Sequence, residues 1–178
     1  MKRLLLHSCC APCSSAVLER LSGEYDITLF FYNPNILPQC EYDKRLDVQK
    51  RFLAETHPNV KLLIGEYHPE RFKAVISGME HLPENSERCE LCYRMRLSKT
   101  AAVAKSSEFD LFATTLTLSS KKKASTINPI AAELAAEFGI PAILEDFKKK
   151  DGYNRSTALS NEYGLYRQRY CGCVLPKE

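Results

Sequence analysis

A doubly wound α/β domain, with a parallel sheet covered on both faces, is the fold this sequence predicts. Three observations lead to it. Short runs rich in leucine, β-branched or aromatic residues recur along the chain, stretches with helical spacing of apolar residues follow most of them, and turn residues punctuate the alternation. Strands separated by helices of roughly 10 to 15 residues imply right-handed βαβ units and a parallel sheet.

Leu4 to Leu6 form the first short apolar run, and Ala11 to Leu21 is predicted helical, with Pro12 in its first turn and Gly23 as a stop. Ile27 to Tyr32 reads as a second strand, ended by Asn33-Pro34-Asn35; Tyr42, Leu46 and Leu53, with Phe52 beside them, give the next helix. Val60 to Ile64 is a third strand. Phe72, Val75, Ile76 and Met79 then fall at i, i+3, i+4 and i+7, the pattern of one buried helical face. Leu91, Met95 and Ala102 mark a helix that ends before Asp110, with Asn85 or Ser86 as its cap, and Leu111 to Thr114 resumes as strand. Asn128 is expected to cap a helix carrying Pro129, with Gly139 just past its end, and Ile143 and Leu144 give a last strand. From Phe147 onward the periodicity fades into polar, basic and tyrosine-rich sequence, a basic C-terminal tail that reads as functional.

At 178 residues the chain fits one domain, residues 1–178, with no internal repeat or low-complexity linker. Its 44% apolar and 26% charged residues are those of a water-soluble globular protein, and no apolar run approaches the roughly 18 residues a membrane helix needs. Lys2 and Arg3 precede only three leucines before His7, too short for the apolar region of a signal peptide, so a cytoplasmic location is expected. Residues 147–178 hold seven Lys/Arg against three Asp/Glu, a local excess of +4 where the whole chain carries +3. Such an excess suits a polyanion such as RNA, although a solvated surface is its commoner meaning.

Eight cysteines in a reducing compartment point to metal or redox chemistry, because a core of this size needs no cross-links. Cys9, Cys10 and Cys13, in His-Ser-Cys-Cys-Ala-Pro-Cys, lie between the first strand and its helix, where open α/β sheets bind ligands. A helix N-terminus there lowers thiolate pKa values. Cys89 and Cys92 are i, i+3 and share a helix face; alone they fit a redox dithiol, half a zinc site or half an iron-sulfur site. Cys171 and Cys173 flank Gly172, close enough to ligate one metal or to form an easily reduced disulfide. Cys40 has no cysteine nearby and reads as a bystander. Four-thiolate sites suit zinc or a [4Fe-4S] cluster alike, but seven thiols exceed what one structural zinc needs.

These residues resemble a known family, the QueH type of epoxyqueuosine reductase. The matching segments are His7 to Cys13, Tyr-Asn-Pro-Asn-Ile at 32–36 followed by Glu41-Tyr42, Arg-Cys-x-x-Cys-Tyr-x-x-Arg-Leu at 88–97, Thr114-Thr115-Leu116 with Ser119-Ser120, Phe147 to Asp151, and Tyr-Arg-Gln-x-Tyr-Cys-Gly-Cys at 166–173. One departure is Lys121-Lys122-Lys123, where the family pattern leads to a proline after the serine, so that loop's role is not carried over. The resemblance implies a HUP-type fold, similar to the PP-loop ATPases of tRNA modification (adenine nucleotide alpha hydrolase-like) but with their phosphate loop replaced by Ser8 to Cys13. It implies a [4Fe-4S] cluster, assigned to Cys9, Cys10, Cys89 and Cys92, with a separate mononuclear iron drawing on the remaining thiols Cys13, Cys171 and Cys173. It also implies, as substrate, a tRNA carrying epoxyqueuosine in its anticodon.

Converting an epoxide to an alkene releases water and consumes two electrons and two protons, so an electron donor is required as partner. Cys171 and Cys173 are the expected catalytic pair, either holding an iron that polarises the epoxide oxygen or cycling as a dithiol. Tyr32, Tyr93 and Tyr166 are candidate proton donors, with core packing as the competing role. Lys148, Lys149, Lys150, Tyr153, Arg155, Tyr166, Arg167 and Arg169 combine phosphate-binding charge with rings that stack on an unpaired base. Two rival readings are an ATP-dependent PP-loop-like tRNA-modifying enzyme, opposed by the missing glycine-rich loop, and a zinc-stabilised RNA-binding module without redox chemistry.

Overall fold

A computed structural model describes residues 1–173. Lys177 and Glu178, counted in the basic C-terminal segment, lie outside them. Four strands, β1 (Lys2–Ser8), β2 (Tyr25–Phe31), β3 (Lys61–Ile64) and β4 (Leu111–Thr114), form one sheet in the order β3-β2-β1-β4. All pairings are parallel, with Leu4 opposite Ile27 on one side and Leu111 on the other. The order reverses direction at β1, which is the doubly wound arrangement expected. Leu4, Leu5 and Leu6 are fully buried, because helices cover both faces of this central strand.

The helices are α1 (Ala11–Leu21), α2 (Gln39–Thr56), α3 (Pro69–Val75), α4 (Glu87–Ser106), α5 (Ala124–Phe138) and α6 (Gly152–Glu162). α1 packs with α2 and α6, while α4 packs with α5 and lies on β1 and β4. Right-handed crossovers account for this division: the β1-to-β2 and β2-to-β3 connections run one way across the sheet and the return to β4 runs the other. Among the described residues no helix is long and apolar enough to cross a membrane.

Four sequence expectations are corrected. α5 begins at Ala124 rather than after Asn128; Pro129 sits inside it, and the Asn128 amide donates to the Glu145 carbonyl (3.4 Å) instead of capping. Ile143 and Leu144 do not form a strand. A single bridge pairs Ala142 with Phe112, after which the Glu145 carbonyl accepts from the Thr117 hydroxyl (3.0 Å) and the chain leaves the sheet. α3 stops at Val75, short of Met79, and Gly78 beyond it takes a positive φ of 83°. The segment after Phe147 contains a regular helix, α6, docked on α1. At the start of α4, Ser86 does occupy the cap position, but its hydroxyl donates back to the Pro83 carbonyl (2.6 Å).

Candidate metal centre and nucleic-acid cleft

The sheet delivers Ser8-Cys9-Cys10 from the carboxyl end of β1 straight into α1, at the strand where the order reverses. Cys10 occupies the cap position in an extended conformation, and Pro12, lacking an N–H, fits the first turn. The loop is pinned from three sides. Asn33 donates to the Ser8 carbonyl (2.9 Å), and the Gln49 carbonyl oxygen of α2 accepts from both the Ser8 hydroxyl (2.7 Å) and the Ser14 hydroxyl (3.1 Å). Beneath it, fully buried His7 lies 3.0 Å from the Tyr32 carbonyl through Nε2 and 3.0 Å from the Thr114 hydroxyl through Nδ1. A carbonyl only accepts, so Nε2 carries the proton and Nδ1 accepts from Thr114. Burial, reinforced by the Arg96 charge, lowers the His7 pKa to about 4 and keeps the ring neutral.

The sulfurs of Cys9, Cys10 and Cys13 all lie within 4.8 Å of one another and are buried. Cys9 and Cys10 are 3.8 Å apart, and Cys9 is 3.9 Å from the Thr115 hydroxyl. Hydrogen bonds from Cys10 and then Cys13 hold the Cys9 thiol well below its usual pKa, whereas the same sharing pushes Cys13 up. This places negative charge on Cys9 first.

A second thiol set faces a small cavity lined by Cys89 and Cys92 of α4 and by Cys171 and Cys173. The Cys171 and Cys173 sulfurs are 2.9 Å apart as free thiols. The hydrogen bond from Cys173 lowers Cys171 to about 5, and Cys173 is raised in turn, so the pair shares one proton. Burial raises Cys92. Arg88 donates to the Cys173 sulfur (3.1 Å), and the same cavity is lined by Arg96 and Lys122. The structure thus groups Cys9, Cys10 and Cys13 as one set and Cys89, Cys92, Cys171 and Cys173 as another. Cys40 is exposed and outside both. The donors suit a thiolate-bound metal centre: they are close-set, five of them buried and Cys171 and Cys173 partly so, and the Nε atoms of Arg88 and Arg96 beside them have no protein acceptor.

The segment carrying Cys171 and Cys173 is strapped to α2 and its preceding loop. Arg45 donates to the carbonyls of Cys171 and Tyr170, both at 3.0 Å, while Leu37 donates its N–H to the Gly172 carbonyl (2.8 Å). Gly172 has φ of 115°, and an added Cβ would meet Ile36 at 3.0 Å, so only glycine fits between the two cysteines. Sequence reasoning missed Arg45, Gln49, Arg88, Arg96 and Lys122. Arg88 and Arg96 were visible within the cysteine motif of α4, whereas Arg45 and Gln49 carry no local signal.

Beside the two thiol sets opens a cleft of about 180 Å³, lined by Cys13 and Cys171 together with Ser119, Ser120, Lys121, Lys122, Tyr153, Arg167 and Arg169. Of the RNA-binding candidates, Tyr153, Arg167 and Arg169 therefore meet the thiols. Lys148, Lys149 and Lys150 line a different groove, with Lys123 at the start of α5. Lys148 is engaged internally, its ammonium donating to the carbonyls of Thr117 (2.6 Å) and Lys122 (2.8 Å). Arg155 forms a two-point ion pair with Glu19, and Tyr166 donates to Glu41 (2.9 Å) beneath the Lys44 ammonium. Among the tyrosines considered as proton donors, Tyr93 lines the cysteine cavity; Tyr32 and Tyr166 line neither thiol-bearing cavity.

Comparison with known proteins converges on one family. The model of the family "Epoxyqueuosine reductase QueH" matches residues 4–178. A protein of Streptococcus pyogenes serotype M1 described as epoxyqueuosine reductase QueH is 41% identical over 96% of this chain and 69% of its own length. Proteins of the same description from Staphylococcus epidermidis and Thermotoga maritima are 40% and 34% identical, over 97% and 98% of this chain and 75% and 90% of theirs. With this match running through all three cysteine groups, the chain belongs to the QueH family of epoxyqueuosine reductases.

Proposed function

We propose that this protein reduces epoxyqueuosine in tRNA to queuosine, removing the epoxide oxygen as water with two electrons and two protons. Family membership gives the reaction, and the observation that carries it to this chain is the meeting of clustered thiols and a basic, aromatic cleft at Cys13 and Cys171. On this reading, residues 1–178 form a single HUP-like metalloenzyme domain. The thiol loop at the reversal of strand order supports that fold assignment, since this is where related open sheets bind the phosphates of nucleotides.

Drawing two thiols from each of the two sets, Cys9, Cys10, Cys89 and Cys92 would hold a [4Fe-4S] cluster, and the remaining Cys13, Cys171 and Cys173 a separate iron. Together these groups supply single electrons and a Lewis-acid site for the epoxide oxygen. The protein's own contribution is positional. Arg45 and Leu37 fix the Cys171–Cys173 turn at the cleft floor, Arg167 and Arg169 offer charge to backbone phosphates, and Tyr153 offers a face on which a base stacks. Tyr93, buried within the cysteine cavity and with its pKa raised by that burial, stays protonated and can donate there. Electrons come from a reductant that regenerates the metal centre after each turnover.

The test is anaerobic reconstitution with iron and sulfide, followed by EPR, metal analysis and incubation with epoxyqueuosine-bearing tRNA. A reduced-cluster signal together with loss of one oxygen atom from the modified nucleoside, read by mass spectrometry, is the expected result. A colourless protein that takes up stoichiometric zinc and leaves the nucleoside unchanged would overturn the proposal in favour of an RNA-binding module.

A further inference from the structure

Two arginines of α4 stand without the anion that buried guanidinium groups need. Arg88 and Arg96 are each 3% exposed, and neither forms an ion pair with a carboxylate among the described residues. Arg96 reaches only the Asn33 side-chain oxygen, at 3.4 Å, and lies 5.9 Å from the centre of the Tyr93 ring. Arg88 reaches the Cys173 sulfur, and both Nε atoms are buried without an acceptor. Lys122 adds a third positive group to the same cavity, where the one carboxylate on the wall, Glu84, is exposed and bonded to none of the three. Leaving buried charge uncompensated costs several kcal/mol, so this wall is built for negative charge inside the cavity.

We infer that Arg88, Arg96 and Lys122 are the counter-charge of the thiolate-bound metal centre and that they set the reduction potential of its iron-sulfur cluster. The inference rests on the function proposed above. Four thiolates around a [4Fe-4S] core leave it with a net negative charge that grows by one on reduction. Fixed positive charge at the cavity wall therefore favours the reduced form, in a setting where burial and hydrogen bonds to sulfur already govern the potential. The cations thereby ease delivery of electrons from the donor to a centre that will pass them to the substrate. Lys122 also lines the proposed substrate cleft, so it is the one cation of the three that lines both the thiol cavity and that cleft.

The experiment is an EPR-monitored redox titration of the anaerobically reconstituted full chain and its Arg96→Gln, Arg96→Lys and Lys122→Met variants, with iron counted on each. Arg96→Gln is expected to shift the reduction equilibrium at least tenfold towards the oxidised form, about 59 mV lower in midpoint for a one-electron couple. Lys122→Met should shift it in the same direction, and Arg96→Lys should restore most of the wild-type value. Lys122 is on a half-buried loop outside the helices, so its variant carries the test even where Arg96→Gln disturbs folding. Unchanged midpoints at equal iron content in Lys122→Met and any folded Arg96→Gln overturn this inference alone. A wild-type chain that loads no cluster overturns both it and the proposed function.

Discussion

The guanidinium of Arg45, in the middle of α2, donates to the backbone carbonyl of Cys171 at 3.0 Å, joining residues 126 positions apart. Its Nε is held by Glu41 at 2.9 Å, and Glu41 in turn accepts from Tyr166. One buried arginine, together with the Leu37 N–H on the Gly172 carbonyl, therefore holds the Cys171–Cys173 turn in position.

Arg45→Ala should lower stability by about 3 kcal/mol, since it leaves two carbonyls without their donor and the Glu41 carboxylate without its countercharge, held by Tyr166 alone. In the metal-free protein, alkylation of Cys171 and Cys173 should accelerate several-fold, while that of Cys89 is unchanged, as read by peptide mass spectrometry. Adding Glu41→Gln should recover part of the lost stability. Full additivity of the two changes would mean that the Glu41–Arg45 pair does not hold the turn.

The assignment of thiols predicts a split among the cysteine variants. Cys89→Ala and Cys92→Ala, like Cys9→Ala and Cys10→Ala, should abolish the cluster EPR signal. Cys13→Ala should keep that signal and lose iron, and Cys40→Ala should change neither. A Cys13→Ala protein without a cluster would place Cys13 among the cluster ligands, as its closeness to Cys9 and Cys10 allows.

The three consecutive lysines should not behave alike. Exposed Lys149 and Lys150 are free to meet phosphates, so their replacement by alanine should weaken tRNA binding and reduce the salt slope by roughly 0.7–0.9 per lysine engaged. Lys148→Ala should instead lower the melting temperature, because its ammonium ties the Lys122 loop to the Asp146 segment. Binding isotherms over a salt series, beside thermal melts, separate the two effects.

Gly152→Ala should destabilise the fold by about 2–3 kcal/mol. A Cβ there would fall 1.8 Å from the Phe147 carbonyl oxygen, a backbone atom with no room to move aside cheaply. A melting temperature unchanged from wild type would show that the α6 start can shift to admit a methyl group.

The same glycine explains what the sequence hid. β1 and β4, and the second half of β2, were legible because a parallel strand buried on both faces must be a nearly continuous apolar run, and β3, an exposed edge strand, was legible from its short apolar run alone. α6 was not, because it docks on α1 through Gly152, Ser156 and Ser160, small residues four apart, with the Ser156 hydroxyl donating to the Pro12 carbonyl (2.5 Å). Patterns of large hydrophobic residues cannot reveal an interface made by close backbone approach. The cysteine groups were legible by spacing alone, but their grouping in space depends on long-range contacts such as Arg45 to Cys171 and Arg88 to Cys173, which leave no local trace.

The thiols come from three stretches of chain: the first turn after β1, the start of α4, and the turn at Gly172. A ribosome delivers them in that order. Cys9, Cys10 and Cys13 can find their sheet early, but the cavity wall is incomplete until Cys171 and Cys173 emerge and are drawn onto α2. Any metal that these thiols take up would therefore enter late in biogenesis, coupled to the closing of the last turn.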